Sequence, residues 1–289
     1  MKDFTDFTLR FWQPPDRADL LEMFSIVFGD PPETAETFQR TFLTAPEACI
    51  LAAVPEEGRP EGRPVAACYC LPGPALCIPG QQRTASVYLY AVGCLPAWRG
   101  KGIGMKMAAA LFAEAGRQAP VSCIIPATEG LLQAYNRIRP LSPLGHSRIA
   151  EAAGTEIGSA EALPAERISW QDYARRREDW LASYPHAAYP DSYYSLAEAY
   201  GNVFLALPGA LAAAFPLEDK WVVSELLCPF ADPARALAGI AAACPARQYE
   251  IRTPAFFPGP GEIRPFAYCH DTAGNLDAPD HFWFPFALE

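Results

Sequence analysis

Positive charge, histidine and methionine are scarce in this chain. Against 33 aspartates and glutamates stand 23 lysines and arginines, a formal net charge of −10, with four histidines and four methionines. Nucleic acid requires a basic face to neutralise phosphate, so it is excluded as the main partner. His146, His186, His270 and His281 show neither HxxxH nor HExxH spacing, and none of the nine cysteines lies in a CxxC pair. No metal is expected. No apolar run is long enough to span a bilayer, so no membrane partner is expected. Met1 to Trp12 lacks the apolar core of a signal peptide, and a cytoplasmic location is expected. No GxSxG serine elbow occurs.

About half of the residues are hydrophobic, 51%, and they are spread over both halves of the 289-residue chain, which suggests two domains. Gly154 to Pro164 is small, polar and acidic, which sets the expected boundary: one domain over 1–158 and a second over 159–289. Acidity concentrates amines near a surface and so is compatible with a cationic substrate, although solubility explains it equally well. Most of the cysteines sit among aliphatic residues and read as small buried hydrophobes.

Alternation and helical periodicity give the element order. A strand at Phe7–Trp12 leads through Pro14-Pro15-Asp16 to a helix closed by Gly29, and a second helix runs from Pro32 to about Leu43. Strands at Ile50–Val54 and Val65–Leu71 flank a charged loop, Glu56 to Gly62. A strand at Ala85–Cys94, a helix at Gly102–Arg117, a strand at Val121–Pro126 and a helix at Gly130–Arg139 follow. In the second half, Val203–Leu207, a Pro208-Gly209 turn, Ala210–Leu217, Trp221–Cys228, a helix at Pro233–Ala243 and Gln248–Thr253 repeat the β-β-β-α-β order of residues 50 to 126. Phe282–Leu288 is expected as a last strand. The fold class is α/β (α+β), two mixed sheets in tandem flanked by helices.

Arg99-Gly100-Lys101-Gly102-Ile103-Gly104 lies between a strand and an uninterrupted helix. A phosphate cradle needs inward backbone N–H groups, glycines that admit the ligand, and a helix N-terminus behind them. The GxGxG spacing differs from the GxGxxG of dinucleotide sites and the GxxxxGK[ST] of nucleotide P-loops, and no hydroxyl is placed for magnesium. A pyrophosphate bound without metal fits this pattern.

Cys94-Leu95-Pro96-Ala97-Trp98 ahead of that loop resembles the V-x-P-x-x-R-x-x-G-x-G signature of the GCN5-related N-acetyltransferases. The resemblance covers about the first 150 residues. It implies a coenzyme A pyrophosphate held by Arg99, Gly100, Lys101, Gly102, Ile103 and Gly104. It further implies a pantetheine arm paired with the backbone around Val92, Gly93 and Cys94, acetyl-CoA as co-substrate and no metal. Ala127-Thr128-Glu129-Gly130 through Tyr135-Asn136-Arg137-Ile138 looks like the family segment whose tyrosine lies near the thioester sulfur. Tyr135 is accordingly the expected general acid, with packing between helix and sheet as its other reading. Arg139-Pro140-Leu141 departs from the family's glycine-phenylalanine ending.

A glycine-loop half followed by a degenerate one resembles the core of the enhanced-intracellular-survival type acetyltransferases. Their further sterol-carrier-like domain is not expected in a chain of this length. The implied activity is direct acetyl transfer to a small, cationic amine, with a non-catalytic acyl-CoA sensor as the alternative. Two carboxylates are candidates for the base: Glu129, which equally suits a helix N-terminus, and Glu225, which equally suits the solvated face of an edge strand. Cys94 and Cys123 read as core residues. In the second half, Cys228-Pro229-Phe230-Ala231-Asp232-Pro233 takes the loop's place without a glycine, which implies one coenzyme site per chain.

Overall fold

The computed structural model describes residues 6–229, 233–274 and 276–286. In chain order the elements begin with β1 (Thr8–Phe11), α1 (Arg17–Phe28), α2 (Pro32–Phe42), β2 (Cys49–Glu56), β3 (Arg59–Pro72) and β4 (Ala75–Cys77). There follow β5 (Ser86–Cys94), α3 (Ile103–Gln118), β6 (Val121–Ile124), α4 (Glu129–Asn136), β7 (Ser142–Ala153), α5 (Gly154–Ile157), β8 (Glu166–Ile168) and α6 (Trp170–Leu181). The remainder is β9 (His186–Ala188), α7 (Asp191–Ala199), β10 (Val203–Leu207), β11 (Ala210–Leu217), β12 (Lys220–Leu227), α8 (Ala234–Ala243), β13 (Gln248–Pro254) and β14 (Glu262–Asp271). These pack as two compact units. One takes the residues up to Pro74, Ala85–Ser142 and Cys269–Leu276; the other takes Ala75–Thr84, Pro143–Tyr268 and the residues from Asp277.

In the first unit β1, β2, β3 and β5 are antiparallel neighbours, and β5 pairs in parallel with β6. Adjacent residues of β3 point to opposite faces, as the pleat requires. Tyr69 meets Phe24 of α1 and Phe38 of α2, while Cys68 reaches the Met107 carbonyl of α3 at 3.9 Å. Helix α3 turns Ile103, Met107 and Leu111 inward at i, i+4 spacing. Helix α1 stops at Gly29, whose φ of +80° supplies the left-handed cap.

The second unit orders its strands β7-β13-β12-β11-β10-β8, with β4 and β9 as a separate pair. Leu205 of β10 joins Val223, Leu226, Leu237 and Ile240 in the core under α8. Its neighbour Phe204 faces Tyr173 of α6 at 4.7 Å between ring centroids.

The repeated β-β-β-α-β order extends to the pairing of the strands and to one bulge in each copy. Ser86–Leu89 of β5 pair with Val121–Ile124, and β5 then runs on to Cys94. Lys220–Val223 of β12 pair with Gln248–Ile251, and β12 then runs on to Leu227. On its antiparallel side β5 carries one extra residue between Tyr90 and Gly93, and β12 carries one between Val222 and Glu225.

The expected loop at Glu56–Gly62 is instead a two-residue turn, with Glu56 opposite Arg59 and Gly58 at φ +79°. Both strands extend through the charged stretch, along which Arg59 pairs with Glu56 and Asp19. Strands β4, β8 and β9, three residues each, are too short to show a period, and β14 contains Pro265. Phe282–Phe286 forms a single bridge at Trp283 rather than a strand, and Ala287 and Leu288 lie outside the described residues. Among the described residues no helix is long and apolar enough to cross a membrane.

Candidate functional site

The site is built at the end of β5. Leu95 donates its N–H to the Val65 carbonyl at 2.9 Å, so the residues in phase with it, Gly93 and Leu95, aim their backbone groups at β3. Val92 and Cys94, out of phase, aim theirs at the other edge, beyond the point where β6 ends. Ala91 sits at φ +49°, a left-handed conformation for a residue with a side chain, inside the bulge that sets this phase. A Cβ at Gly93 would stand 2.9 Å from both Phe28 Cζ and Val27 Cγ1, so a bare α-carbon is what lets α1 close on the strand.

Past the strand, Trp98 N–H closes a turn onto Leu95 and Arg99 N–H one onto Pro96. The Arg99 guanidinium folds back, its Nε donating to the Cys94 carbonyl at 3.1 Å. Gly100 and Gly102 have φ of +75° and +76°. These values favour glycine and turn successive amides outward ahead of α3. Gly102 is the helix N-cap and offers no side chain to the first amides. A Cβ at position 100, 102 or 104 would meet no atom within 4 Å, so space lies over the cradle. Lys101 Nζ lies 4.4 Å from the Trp98 ring centroid, and Arg99 and Lys101 keep two cations beside the amides. Next to the lead-in is a cavity of about 490 Å³ walled by Ile26, Val54, Val65, Leu95, Pro96 and Trp98. A diphosphate ester fits this donor set: oriented amides, an N-terminal helix dipole and two side-chain cations.

Tyr135 lies on α4, 7% exposed, its ring edge-on to Phe112 of α3 at 6.4 Å. Burial, and secondarily the nearby Cys68 sulfur, push its pKa up to about 12. Thr128 caps α4, its hydroxyl accepting from the Leu131 amide at 3.2 Å. After the helix, Ile138 and Arg139 N–H both turn onto the Tyr135 carbonyl, and Asn136 Oδ1 accepts from Leu141. That turn takes the place of the glycine-phenylalanine ending. Glu129 is exposed in the first turn of α4 and accepts from Gln133 Nε2 at 3.5 Å. Cys123 is fully buried and Cys94 half-buried, and burial raises both thiols.

Glu225 is not on a solvated edge. Strand β12 lies between β11 and β13, and the carboxylate is 0% exposed. It accepts from Tyr173 Oη at 2.6 Å, Arg177 Nε at 2.7 Å, Arg177 Nη2 at 3.0 Å and Trp283 Nε1 at 2.6 Å. With its lone pairs committed to four donors, it cannot serve as a base. Phe230, Ala231 and Asp232 of the segment opposite the loop in sequence lie outside the described residues; α8 begins after Pro233. Sequence reasoning missed a second cluster, Cys77, His186 and Glu178, because its members come from positions about a hundred residues apart and share no motif.

No family model matches the chain, and no curated protein matches it. Solved structures do. A GCN5-related N-acetyltransferase from Kribbella flavida superposes with a TM-score of 0.64 at 16% identity, over 92% of this chain and 72% of that one. The chain has the fold of a GCN5-related N-acetyltransferase. Eis1 from Mycobacterium abscessus shares it at a TM-score of 0.60 and 14% identity, over 92% of this chain and 74% of that one. A putative acetyltransferase from Pyrococcus horikoshii does so at 0.60 and 12%, over 99% and 95%. Identities this low carry the GCN5-related fold and leave substrate and catalytic residues to be argued from the site. Among the described residues no group of three or more His, Cys, Asp and Glu could hold a metal.

Proposed function

We infer that the protein is an N-acyltransferase using acyl-coenzyme A, with acetyl-CoA as its donor and a small cationic amine as its acceptor. One observation carries this: a bulged strand that outruns its parallel neighbour delivers a glycine cradle to the start of α3. In this reading the amides of Gly100, Gly102, Ile103 and Gly104, with Arg99 and Lys101, hold the pyrophosphate. The backbone of Val92 and Cys94 pairs with the pantetheine arm, and Gly93 keeps the strand free of a side chain between them.

The amine attacks the thioester carbonyl, the new C–N bond forms and the C–S bond breaks. Backbone N–H groups of β5 polarise the carbonyl oxygen. Tyr135 supplies the proton for the departing thiolate; a phenol whose pKa is pushed up to about 12 retains that proton at neutral pH. Glu129, or water, takes the proton lost by the ammonium. The excess of acidic residues supports a cationic acceptor. Coenzyme binding is assigned to the first unit alone.

The test is a panel of amines with acetyl-CoA and a free-thiol readout, run beside thermal melts. An acyltransferase releases thiol with at least one amine and melts higher as acetyl-CoA rises. Stabilisation with no turnover across the panel would mark a coenzyme-binding module instead. No stabilisation would remove the coenzyme altogether.

A further inference from the structure

In the second unit β4 and β9 form a three-residue antiparallel ladder that sets Cys77 directly opposite His186. The Cys77 thiol donates to the Ala75 carbonyl at 3.7 Å, and residues directly opposite on such a ladder share one face of it. His186 is 3% exposed; its Nδ1 donates to the Tyr184 carbonyl at 2.8 Å, and its Nε2 faces Glu178 Oε2 at 3.4 Å. Arg83 reaches the same carboxylate oxygen at 3.6 Å. The cluster opens onto a cavity of about 400 Å³ lined by Cys77, Gln81, Arg83, Glu178, Asp179 and His186. A sulfur, an imidazole held at both nitrogens and a carboxylate thus line a cavity large enough for a small molecule. No part of the proposed transfer reaction uses them.

We propose that Cys77 is a hydroperoxide-oxidisable thiol, with His186 as its proton relay. The sulfur attacks one oxygen of the peroxide; an S–O bond forms as the O–O bond breaks, and the electron pair leaves with the second oxygen. Sulfur is oxidised from thiol to sulfenic acid and the peroxide is reduced to an alcohol or water. His186 gives a proton to the departing oxygen and takes up the thiol proton, so the exchange balances without a further reductant. Burial pulls the imidazole pKa down, but the neighbouring Cys77 sulfur and the hydrogen bonds the ring donates to Glu178 and the Tyr184 carbonyl outweigh it and raise it to about 9. The imidazole therefore carries the proton it must give at neutral pH.

The whole chain is treated with substoichiometric hydrogen peroxide, sulfenic acid is trapped with dimedone, and labelled peptides are quantified over time. Cys77 is expected to label at least tenfold faster than Cys94, the half-buried comparison thiol. Labelling of Cys94 or any other cysteine at an equal rate overturns the proposal. His186→Asn is expected to slow Cys77 labelling at least tenfold and Glu178→Gln several-fold, at unchanged circular dichroism. Wild-type rates in a folded His186→Asn protein overturn the relay. If that variant does not fold, the Cys77-to-Cys94 ratio in the parent and the Glu178→Gln rate decide.

Discussion

Gly93 and Glu225 each stand directly after the extra residue of a bulged strand, seven residues past the first parallel pair in β5 and five past it in β12. At Gly93 the missing side chain leaves room for Val27 and Phe28 of α1. At Glu225 a carboxylate points to Tyr173 and Arg177 of α6 and is sealed there. After its bulge the first strand is bare, and the second carries a buried ion pair.

That pair makes a stability prediction. Glu225→Gln removes the nearer counter-charge of the fully buried Arg177 guanidinium, leaving Glu178 at 3.5 Å, and should cost about 3 kcal/mol in urea unfolding. Replacing both partners together with apolar residues should cost far less, because no unpaired charge remains buried. A single variant within 1 kcal/mol of the parent, as an order of magnitude, would mean the pair is not desolvated as described.

How the two strands looked in sequence follows from the range of their interactions. The glycine cradle and α3 are local: Gly100 and Gly102 set the turn, and Ile103, Met107 and Leu111 set the helix face within one run. Both were legible. Glu225 was not, because a lone carboxylate in an apolar strand looks alike whether solvated or paired. Its partners Tyr173, Arg177 and Trp283 lie some fifty residues away along the chain. Cys77 and His186 were illegible for the same reason, compounded by strands of three residues that show no alternation.

Gly102→Ala separates folding from coenzyme binding. No atom crowds the new Cβ, so the folding cost is that of a left-handed alanine, about 1 kcal/mol. The amides of the cradle would be re-aimed, however, and the acetyl-CoA-induced rise in melting temperature should largely vanish. Retention of the full rise would show that the coenzyme binds elsewhere.

Gly93→Ala tests the close approach of α1. Its Cβ would meet the side-chain tips of Phe28 and Val27 at 2.9 Å, forcing them aside at a cost of about 1–3 kcal/mol. Because Phe28 is 43% exposed and can swing outward, the lower figure is expected in thermal unfolding. A neutral substitution would show that the helix does not hold this position in solution.

Tyr135→Phe should lower kcat by about two to four orders of magnitude while leaving the acetyl-CoA Kd within about twofold. The parent's rate should hold through pH 10 as far as this group is concerned, since a phenol with a pKa near 12 stays protonated there. A variant with parental turnover across the amine panel would return Tyr135 to a packing role.

His186 gives a pH signature of the second unit. Its folded pKa, about 9, exceeds the 6.5 of a free imidazole, so the folded state binds its proton more tightly than the unfolded chain does. The stabilisation is complete below pH 6.5 and is lost as pH rises through 9, about 3 kcal/mol over that window by linkage. The measurement is urea unfolding of the parent and His186→Asn at pH 6, 7.5 and 9. The difference between the two should shrink as pH rises, because only the parent loses the imidazolium's contribution. Subtracting the variant also removes what other titrating groups share between the two proteins. A difference that stays constant across this range would mean that the Glu178 and Tyr184 contacts do not hold the charged ring.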